Sequence, residues 1–482
     1  MEDRTLGRCL TEYAGGGYYP YHMPGHKRRG AQGGSFSEAL AASMRYDITE
    51  IDGFDNLHEP EGILLEAQER AAALYGADDC FYSVNGSTAG ILTAVSAAVP
   101  EGGKLIMARN CHKAVYHSVY LRHLEPVYLY PGTVGDTELA APVTAAQVEE
   151  ALEQNPDAKA VLIVSPTYDG VAADVAGIAG AAHRRGVPLI VDAAHGAHFG
   201  LHPGFPESPV RLGADLTVVS LHKTMPCPTQ TALLLCCGSR VAKERLRLFE
   251  GIYQTSSPSY LLMAAMDECV SAVRRTGAAL WDAFFRERAA FLEQCSGLLG
   301  LRILTDGTFE LGKTGEQLKF LMDPGKILIE TSKTCLTGKQ FYDILLEQYH
   351  LQMEMAAGNY VTAIMTCCDS KEGWQRLAEA LVSIDRSVAG SVPGHESRLR
   401  EYPFLEKAVS LTEALDAPKE KASLEEAEGK ISGGFVNLYP PGIPVVVPGE
   451  RISREAARLI MRYRQQNLPL QGAEEGAITI LK

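Results

Sequence analysis

The chain has 482 residues, of which 46% are hydrophobic and 22% are charged, and its formal net charge is −14. This length predicts several domains, and the composition is that of a soluble globular protein. The acidic balance argues against a nucleic-acid-binding protein and suits a neutral or cationic small substrate.

Neither a targeting signal nor a disulfide framework is evident in the sequence. Residues 1–17 lack the apolar core of a secretory signal, and the apolar run 89–99 is too short for a membrane span, which needs ~20 residues. The 11 cysteines show no zinc-type spacing, so we expect no metal site. Their odd number predicts reduced thiols and a cytoplasmic protein.

Residues 1–45 are predicted to form an N-terminal arm, because their prolines and glycines prevent a long helix. The arm contains a run of tyrosine and histidine side chains over residues 18–30, which includes His26. Such a run either lines a site or an oligomer interface, or has a plain packing role.

A stretch dense in carboxylates, residues 47–58, follows the arm. A solvated acidic loop is the favoured interpretation. The alternative is a set of acceptors for the positively charged end of a substrate. The candidates for that role are Asp47, Glu50, Asp52 and Asp55, together with Glu354 much later in the chain.

Strands and helices alternate over residues 63–219. Helical spacing covers residues 63–75, and short continuous apolar segments predict buried strands. This alternation predicts an α/β fold with a mostly parallel, doubly wound sheet. Ligands of such sheets bind beyond the carboxyl ends of the strands. The predicted strands end at or near Val84, Ala108, Val164, Val191 and Val219.

Polar side chains follow each of these predicted strands. Gly86, Ser87 and Thr88 open a helix whose unpaired amides attract a phosphate, although serine and threonine are also ordinary helix caps. One lone cluster would be weak evidence, but five clusters at strand ends are difficult to attribute to chance. The other four are His112, Thr167 with Tyr168, Asp192 with Ala194 and His195, and Ser220 with His222 and Lys223.

Lys223 directly follows an apolar strand. A lysine amine loses its proton readily when it is desolvated and then acts as a nucleophile, so Lys223 is a candidate Schiff-base residue. A lone lysine is far more often a surface residue. The interpretation therefore depends on what surrounds it.

Together, the strand-end side chains meet the requirements of pyridoxal 5′-phosphate (PLP). Lys223 would bind the cofactor, Asp192 would keep the ring nitrogen protonated so that the ring accepts electrons, and His112 would lie over the ring. The remaining predicted cofactor-binding residues, mostly for the phosphate, are Gly86, Ser87, Thr88, Ala194, Ser220 and His222.

The motifs that carry these residues resemble the Orn/Lys/Arg decarboxylase family, over nearly the whole chain and in family order. The resemblance implies PLP fold type I, the aspartate-aminotransferase type, and α-decarboxylation of arginine, lysine or ornithine in polyamine biosynthesis. The motifs are MPGHK around His26, NGST at 85–88, NCHK at 110–113, DAAHGAH at 192–198, SLHKT at 220–224, TSSPSY at 255–260 and YPPG at 439–442.

The resemblance also implies roles that the residue patterns alone do not give. Lys223 or His222 would reprotonate the α-carbon, and His195 would support the substrate side. The protein would be a homodimer or a higher homo-oligomer with active sites at the subunit interface. Thr255, Ser256 and the His26 arm would contribute to that interface and to the substrate site.

Two features depart from the family pattern. The large acid-induced members carry a receiver-like N-terminal domain, whereas only a short arm precedes the sheet here, which favours the shorter, biosynthetic form. Ala193 stands where shorter members often have glutamate, beside the cofactor aspartate.

The predicted organisation has five parts: the arm (1–45), a large PLP-binding domain (46–276), a small α/β domain (277–388), a linker (389–401) and a C-terminal α+β decarboxylase-type domain (402–482). One predicted helix of the large domain ends near residue 275, and a separate helix spans 281–299.

Cofactor ligands do not determine which α-bond breaks. An aminotransferase or lyase reaction on the same fold, or a non-catalytic PLP-binding protein, therefore remains the alternative.

Overall fold

A computed structural model describes most of the chain. The predicted linker lies largely outside the described residues, as do residues 439–441 of the YPPG motif. No helix in the described part is both long enough and apolar enough to cross a bilayer. The described residues are 4–24, 26–28, 38–134, 137–305, 307–311, 316–391, 403–438 and 442–482.

Strands and helices alternate through the first half of the chain, as the sequence pattern predicts. The strands are β1 (Asp79–Ser83), β2 (Lys104–Ala108), β3 (Glu125–Leu129), β4 (Ala160–Val164), β5 (Val171–Ala172), β6 (Leu189–Asp192), β7 (Leu216–Ser220), β8 (Ala232–Cys236), β9 (Arg302–Leu304), β10 (Gly307–Leu311), β11 (Glu316–Met322), β12 (Lys326–Glu330), β13 (Met355–Ala356), β14 (Tyr360–Ile364), β15 (Lys419–Ser423), β16 (Val436–Leu438), β17 (Ile443–Val446), β18 (Leu470–Gln471) and β19 (Ala477–Leu481).

The helices pack on both faces of the large sheet and around the later domains. They are α1 (Leu6–Gly15), α2 (Glu38–Ser43), α3 (Ile63–Tyr75), α4 (Gly86–Ala98), α5 (Lys113–Leu121), α6 (Ala145–Gln154), α7 (Val175–Arg184), α8 (Leu221–Thr224), α9 (Lys243–Tyr253), α10 (Tyr260–Gln294), α11 (Gly338–Tyr349), α12 (Lys371–Val388), α13 (Leu411–Asp416) and α14 (Arg454–Gln465).

The large sheet has seven strands in the order β1-β8-β7-β6-β4-β2-β3. Strand β8 runs antiparallel to both of its neighbours, while β7, β6, β4, β2 and β3 pair in parallel. The mostly parallel sheet predicted from the continuous apolar runs is therefore confirmed. The carboxyl ends of the parallel strands meet along one edge, which places the polar side chains that follow them close together.

Helix α4 lies close against strand β7 because a glycine faces the strand. A Cβ atom added to Gly90 would come within 3.0 Å of a methyl carbon of Val218. The absence of that atom lets the helix axis approach the sheet. This packing holds the start of α4 beside the end of β7, which is where Lys223 follows.

The later elements form smaller sheets. Strands β13, β14, β12 and β9 make an antiparallel four-stranded sheet, on which α11 packs. Towards the C-terminus, β15 pairs with β19, and β16 lies between β17 and β18. These C-terminal strands and α14 enclose a separate hydrophobic core around Val446, Ile460 and Ile478.

One helix replaces the two that were predicted around residue 277. Helix α10 is continuous over 35 residues. The predicted helix end near residue 275, the predicted start of a second helix at 281 and the predicted domain boundary after 276 therefore all lie inside this one helix. A helical glycine costs only about 1 kcal/mol relative to alanine. Packing against α1 and α3 on one half and α12 on the other outweighs that cost at Gly277.

A buried ion pair joins the large domain to the C-terminal domain. The Arg109 guanidinium donates to both carboxylate oxygens of Glu450, at 3.0 and 2.8 Å, and to the Pro444 carbonyl oxygen at 2.7 Å. The Val447 N–H also donates to Glu450, at 2.8 Å. Both charged side chains are almost fully buried.

We expect Arg109→Met to lower the free energy of unfolding by about 3–5 kcal/mol, because the change leaves Glu450 buried without its partner. Urea unfolding monitored by circular dichroism measures this loss. Arg184→Met is the control, since its exposed pair with Glu149 is worth about 1 kcal/mol or less. Equal losses in the two variants would contradict the assignment.

Candidate active site

Five of the nine residues predicted to bind a cofactor line one cavity at the carboxyl edge of the large sheet: Ser87, His112, Asp192, Ala194 and Lys223. The space inside the cavity, part of which is open to solvent, is about 510 Å³. It is bounded by the ends of β4 and β6, the starts of α4 and α5, the α8 turn and one residue of β17. Its lining residues are Ser87, Ile91, Asn110, His112, Val164, Pro166, Tyr168, Asp192, Ala194, His195, Lys223 and Ile443.

Asp192 is the last residue of β6 and is buried. One of its carboxylate oxygens accepts a hydrogen bond from the Ala194 N–H at 3.1 Å. Burial raises the pKa of Asp192, and the positive charge of Lys223 opposes that effect. A buried carboxylate with so few donors is well prepared to pair with a cationic ring nitrogen.

Lys223 lies on the single turn α8, immediately after β7. Strands β6 and β7 are parallel neighbours, which explains how Asp192 and Lys223 reach the same cavity from positions 31 residues apart in sequence. Burial lowers the pKa of Lys223, while Asp192 and Glu354 oppose the shift. A lysine with a lowered pKa has a larger fraction of nucleophilic free amine at neutral pH.

His195 lies between two lysines. Its Nε2 is 3.1 Å from Nζ of Lys223, and its Nδ1 is 3.0 Å from Nζ of Lys326, at the start of β12 in the small domain. Burial lowers the pKa of His195 far below its ordinary value, and a positive charge on either Lys326 or Lys223 adds to the shift. The imidazole is therefore neutral. The Tyr168 ring packs edge-on against it, with a centroid distance of 4.6 Å.

The first amides of α4 could hold an anion, except that of Gly86, whose N–H donates to the Gln230 carbonyl oxygen at 2.9 Å. Asn85, at the N-cap, makes no side-chain capping bond, and the first amides of a helix have no acceptor within the helix. Gly86 has a φ of +73°, with open space where a Cβ would be, so the backbone can be approached closely there. Ser87 lines the cavity, whereas the Thr88 side chain is exposed.

His112 lines the cavity and also caps α5. Its Nδ1 accepts a hydrogen bond from the Ala114 N–H at 3.2 Å, so the capping role weighed from the sequence is present beside the cavity position. Burial lowers the pKa of His112 to about 4, with a further contribution from Lys223. The ring is neutral at physiological pH, which suits packing on a flat aromatic ligand.

Several predicted residues do not line the cavity in this subunit. His222 points its Nδ1 at the Thr231 carbonyl oxygen, 3.1 Å away. His26 pairs with Asp47 at 3.1 Å. Glu50 and Asp52 are exposed, as are Thr255 and Ser256. None of these six predicted residues is among the described cavity lining.

Ser220 is fully buried and does not line the cavity, and within the described ranges its hydroxyl oxygen has no hydrogen-bond partner. Ala193 is fully buried too, and its methyl group belongs to the hydrophobic core. Its side chain therefore does not reach the cavity.

Glu354 comes to the site from the small domain, through a hydrogen bond that its carboxylate accepts from the Tyr168 hydroxyl. Lys326 was not among the predicted site residues, although it contacts His195 directly. The sequence does offer one signal for Lys326: it is a lysine that opens an apolar strand, directly after Asp323-Pro324-Gly325. Asn110 and Ile443 line the cavity as well and were not predicted as ligands.

The chemical groups around the cavity fit PLP. The cavity joins an amine, a buried carboxylate, a neutral histidine ring and an uncapped helix start. The unpartnered Ser220 hydroxyl is a costly feature unless a ligand or water satisfies it. In the described part of the chain, no group of three or more histidine, cysteine or acidic side chains is arranged to hold a metal ion.

Comparison with known proteins agrees with the fold. The chain resembles the solved lysine decarboxylase LdcF of Francisella novicida, with a TM-score of 0.82, 18% identity and coverage of 99% of this chain and 81% of that chain. It also resembles a solved structure of SPT with PLP, with a TM-score of 0.50, 15% identity and coverage of 67% and 76%. These similarities show that the chain shares the fold of these proteins, which is the fold class that was predicted.

The sequence comparisons define the family. The model for the Orn/Lys/Arg decarboxylase major domain matches residues 5–301, and the model for the C-terminal domain matches residues 401–468. Arginine decarboxylase of Bacillus subtilis (strain 168) is 32% identical over 491 residues, covering 100% of this chain and 98% of that protein. Arginine decarboxylase of Bacillus anthracis is 30% identical, covering 100% and 97%. The chain belongs to the Orn/Lys/Arg decarboxylase family and is an enzyme of the decarboxylase class.

Proposed function

We propose that this protein is a PLP-dependent α-decarboxylase that converts L-arginine to its amine and CO2. The observation that carries the proposal is the presence of Lys223 and Asp192 on one cavity, at the ends of neighbouring parallel strands. Arginine is chosen among the basic amino acids because the relatives that are at least 30% identical and have assigned names are arginine decarboxylases, whereas the lysine decarboxylase LdcA of Pseudomonas aeruginosa is 22% identical.

When bound, PLP supplies an aldehyde carbon for amines and a ring that accepts the electron pair left by CO2. The chain's own residues prepare that chemistry. Lys223 offers a desolvated amine, and Asp192 would keep a proton on the ring nitrogen. His112 would pack against the ring, and the start of α4 would bind the phosphate.

The substrate's distal cation requires carboxylate acceptors. Glu354 is the candidate that lies at the site of the same subunit, through its bond to Tyr168. Glu50, Asp52, His26, Thr255 and Ser256 lie elsewhere in the subunit, so their predicted roles depend on a second copy of the chain. We propose a homodimer or higher homo-oligomer, acting in the cytoplasm in polyamine biosynthesis, in which these segments complete the neighbouring site.

Product analysis tests the proposed reaction. The purified protein, reconstituted with PLP, is incubated separately with arginine, lysine and ornithine, and CO2 and organic products are quantified by mass spectrometry. We expect equimolar CO2 and agmatine from arginine, at a kcat/KM at least about tenfold above that for lysine or ornithine. A keto acid without CO2 would indicate transamination, and no turnover of any basic amino acid would indicate a non-catalytic PLP-binding protein.

Mixing two inactive variants tests the shared site. Lys223→Ala and Glu50→Gln/Asp52→Asn proteins are each purified and then mixed under conditions that allow subunits to exchange. If sites form between subunits, hybrids regain up to about a quarter of the wild-type activity, since one site of each hybrid is intact. Full activity of the acidic-loop variant on its own would contradict a role for that loop.

A further inference from the structure

The second lysine at the site, Lys326, has no role in the reaction as described so far. It is 3% exposed, lies at the start of β12 and contacts His195 on the side away from Lys223. It is not among the residues that line the cavity. A buried lysine that touches neither substrate nor cofactor acts through its neighbours.

The hydrogen-bonding capacity of the three side chains limits their protonation states. A neutral imidazole has one N–H donor and one acceptor nitrogen, whereas an ammonium group has donors only. His195 faces a lysine amine with each of its ring nitrogens. Two ammonium groups would therefore leave one of them facing an N–H. At most one lysine is an ammonium group while both contacts persist, and the other is a free amine.

The surroundings place the positive charge on Lys326. Its ammonium group faces the carboxylates of Asp323, Asp169 and Glu354, and its Nζ lies 5.4 Å from the centroid of the Tyr168 ring. Asp323 pairs with His198 at 2.8 Å through Oδ1, and within the described residues its other carboxylate oxygen, which is buried, has no hydrogen-bond partner.

Lys223 has less support for a positive charge. It faces Asp192 and Glu354 as carboxylates, with the neutral rings of His112 and His195 beside it. In the proposed holoenzyme, Asp192 pairs with the cofactor ring. Burial lowers the pKa of Lys326 only to about 8, so this group remains mostly protonated at pH 7.

We propose that Lys326 is a positioning residue, which donates to Nδ1 of His195 and thereby fixes the tautomer whose Nε2–H faces the amine of Lys223. The imidazole then donates to the lone pair of the Lys223 amine and stabilises its uncharged form. The charge of Lys326 acts in the same direction, because a nearby positive charge disfavours protonation of Lys223. Lys326 thus prepares the nucleophile without touching the ligand. This inference rests on the proposed role of Lys223.

The test measures the protonation of Lys223 in the protein without cofactor. Limiting acetic anhydride is added at a series of pH values, and acetylation of the Lys223 peptide is quantified by mass spectrometry. We expect Lys326→Met to move the midpoint of the Lys223 profile upward by about one pH unit, the size expected when a buried like charge is removed. Lys326→Arg, which keeps a charged donor, is expected to stay within a few tenths of a unit of the wild type.

Lys333→Met is the control, because Lys333 is exposed in the same small domain. If Lys326→Met does not fold, Lys326→Gln replaces it, and the same upward shift is expected because the charge is lost. In a His195→Asn background, the upward shift of the Lys223 midpoint caused by Lys326→Met should be smaller, because the imidazole tautomer no longer contributes to it. An unchanged midpoint in a folded Lys326→Met or Lys326→Gln protein overturns the inference.

The pH dependence of PLP capture separates this inference from the proposed function. If wild-type protein forms no covalent link between PLP and Lys223, the proposed function fails. If the link forms and the capture rate has the same pH midpoint in wild type and Lys326→Met, the proposed function stands and the role of Lys326 is refuted.

Discussion

The Lys223→Ala protein is expected to lose covalent PLP binding and to decarboxylate arginine about 10³-fold more slowly or worse, as is usual when a covalent catalyst is removed. Among the described residues, Lys223 provides the one amine that lines the cavity. Lys326 lies behind His195 and cannot replace it without a rearrangement of the imidazole. The visible absorbance of the reconstituted protein and the initial rate of CO2 release measure the two losses.

Lys333→Ala serves as the matched control for Lys223→Ala, because it removes an exposed lysine far from β7. It should keep the wild-type spectrum and rate. A small primary amine added to Lys223→Ala should restore part of the rate, since the cavity that held the side chain is then free. A Lys223→Ala protein with an unaltered visible spectrum would show that another residue binds the cofactor.

The second large effect is expected from Asp192→Asn, which should lower kcat by about 10³-fold. An amide has no negative charge with which to hold a proton on the ring nitrogen, so the ring accepts electrons poorly. The stability should change the other way. Burial raises the pKa of Asp192, which means that the ionised carboxylate destabilises the folded protein without cofactor above its unfolded pKa. Asp192→Asn should therefore match or exceed the wild type in resistance to urea at pH 7.

Asp385→Asn is the control for that pair of effects. Asp385 is also buried, but its carboxylate accepts from the N–H groups of Leu299, Gly300 and Leu301, at 2.9, 2.8 and 2.7 Å. Asp385→Asn should lower the resistance to urea and leave kcat unchanged, whereas Asp192→Asn should lower kcat and leave that resistance equal or higher. Full turnover by Asp192→Asn would contradict the proposed role of the carboxylate at the ring nitrogen.

The large domain could be predicted well because its strands are buried on both faces. The apolar runs of β1, β2, β4, β6 and β7 marked where those strands end, whereas β3 was not predicted, and the geometry of a parallel sheet then brought Asp192, His112 and Lys223 together. Strand β8 was not predicted, although ALLLC is as apolar as its neighbours, because an antiparallel return strand has no intervening helix to mark it. The long helix α10 was divided at Gly277, where tertiary packing overrides local propensity.

The contacts that the small domain makes with the large domain could not be predicted from local patterns, although Glu354 itself was a candidate. Lys326 and Glu354 reach His195 and Tyr168 only because the small domain folds against the edge of the large sheet. In the acidic stretch 47–58, the sequence instead offered more candidate acceptors than the structure supports. Asp55 was as good a candidate acceptor as its neighbours, yet its carboxylate accepts from the backbone N–H groups of Gly62 and Leu64 at the start of α3. Composition alone does not separate a helix cap from a substrate acceptor.

The proposed chemistry is tested most directly by borohydride reduction of the PLP-loaded protein, followed by digestion and mass spectrometry. Two buried lysines flank His195, and only one of them lines the cavity. The structure predicts that the phosphopyridoxyl mass is found on the peptide that contains Lys223 and is absent from the peptide that contains Lys326. A label on Lys326, or no label on either lysine, would contradict the proposed active site.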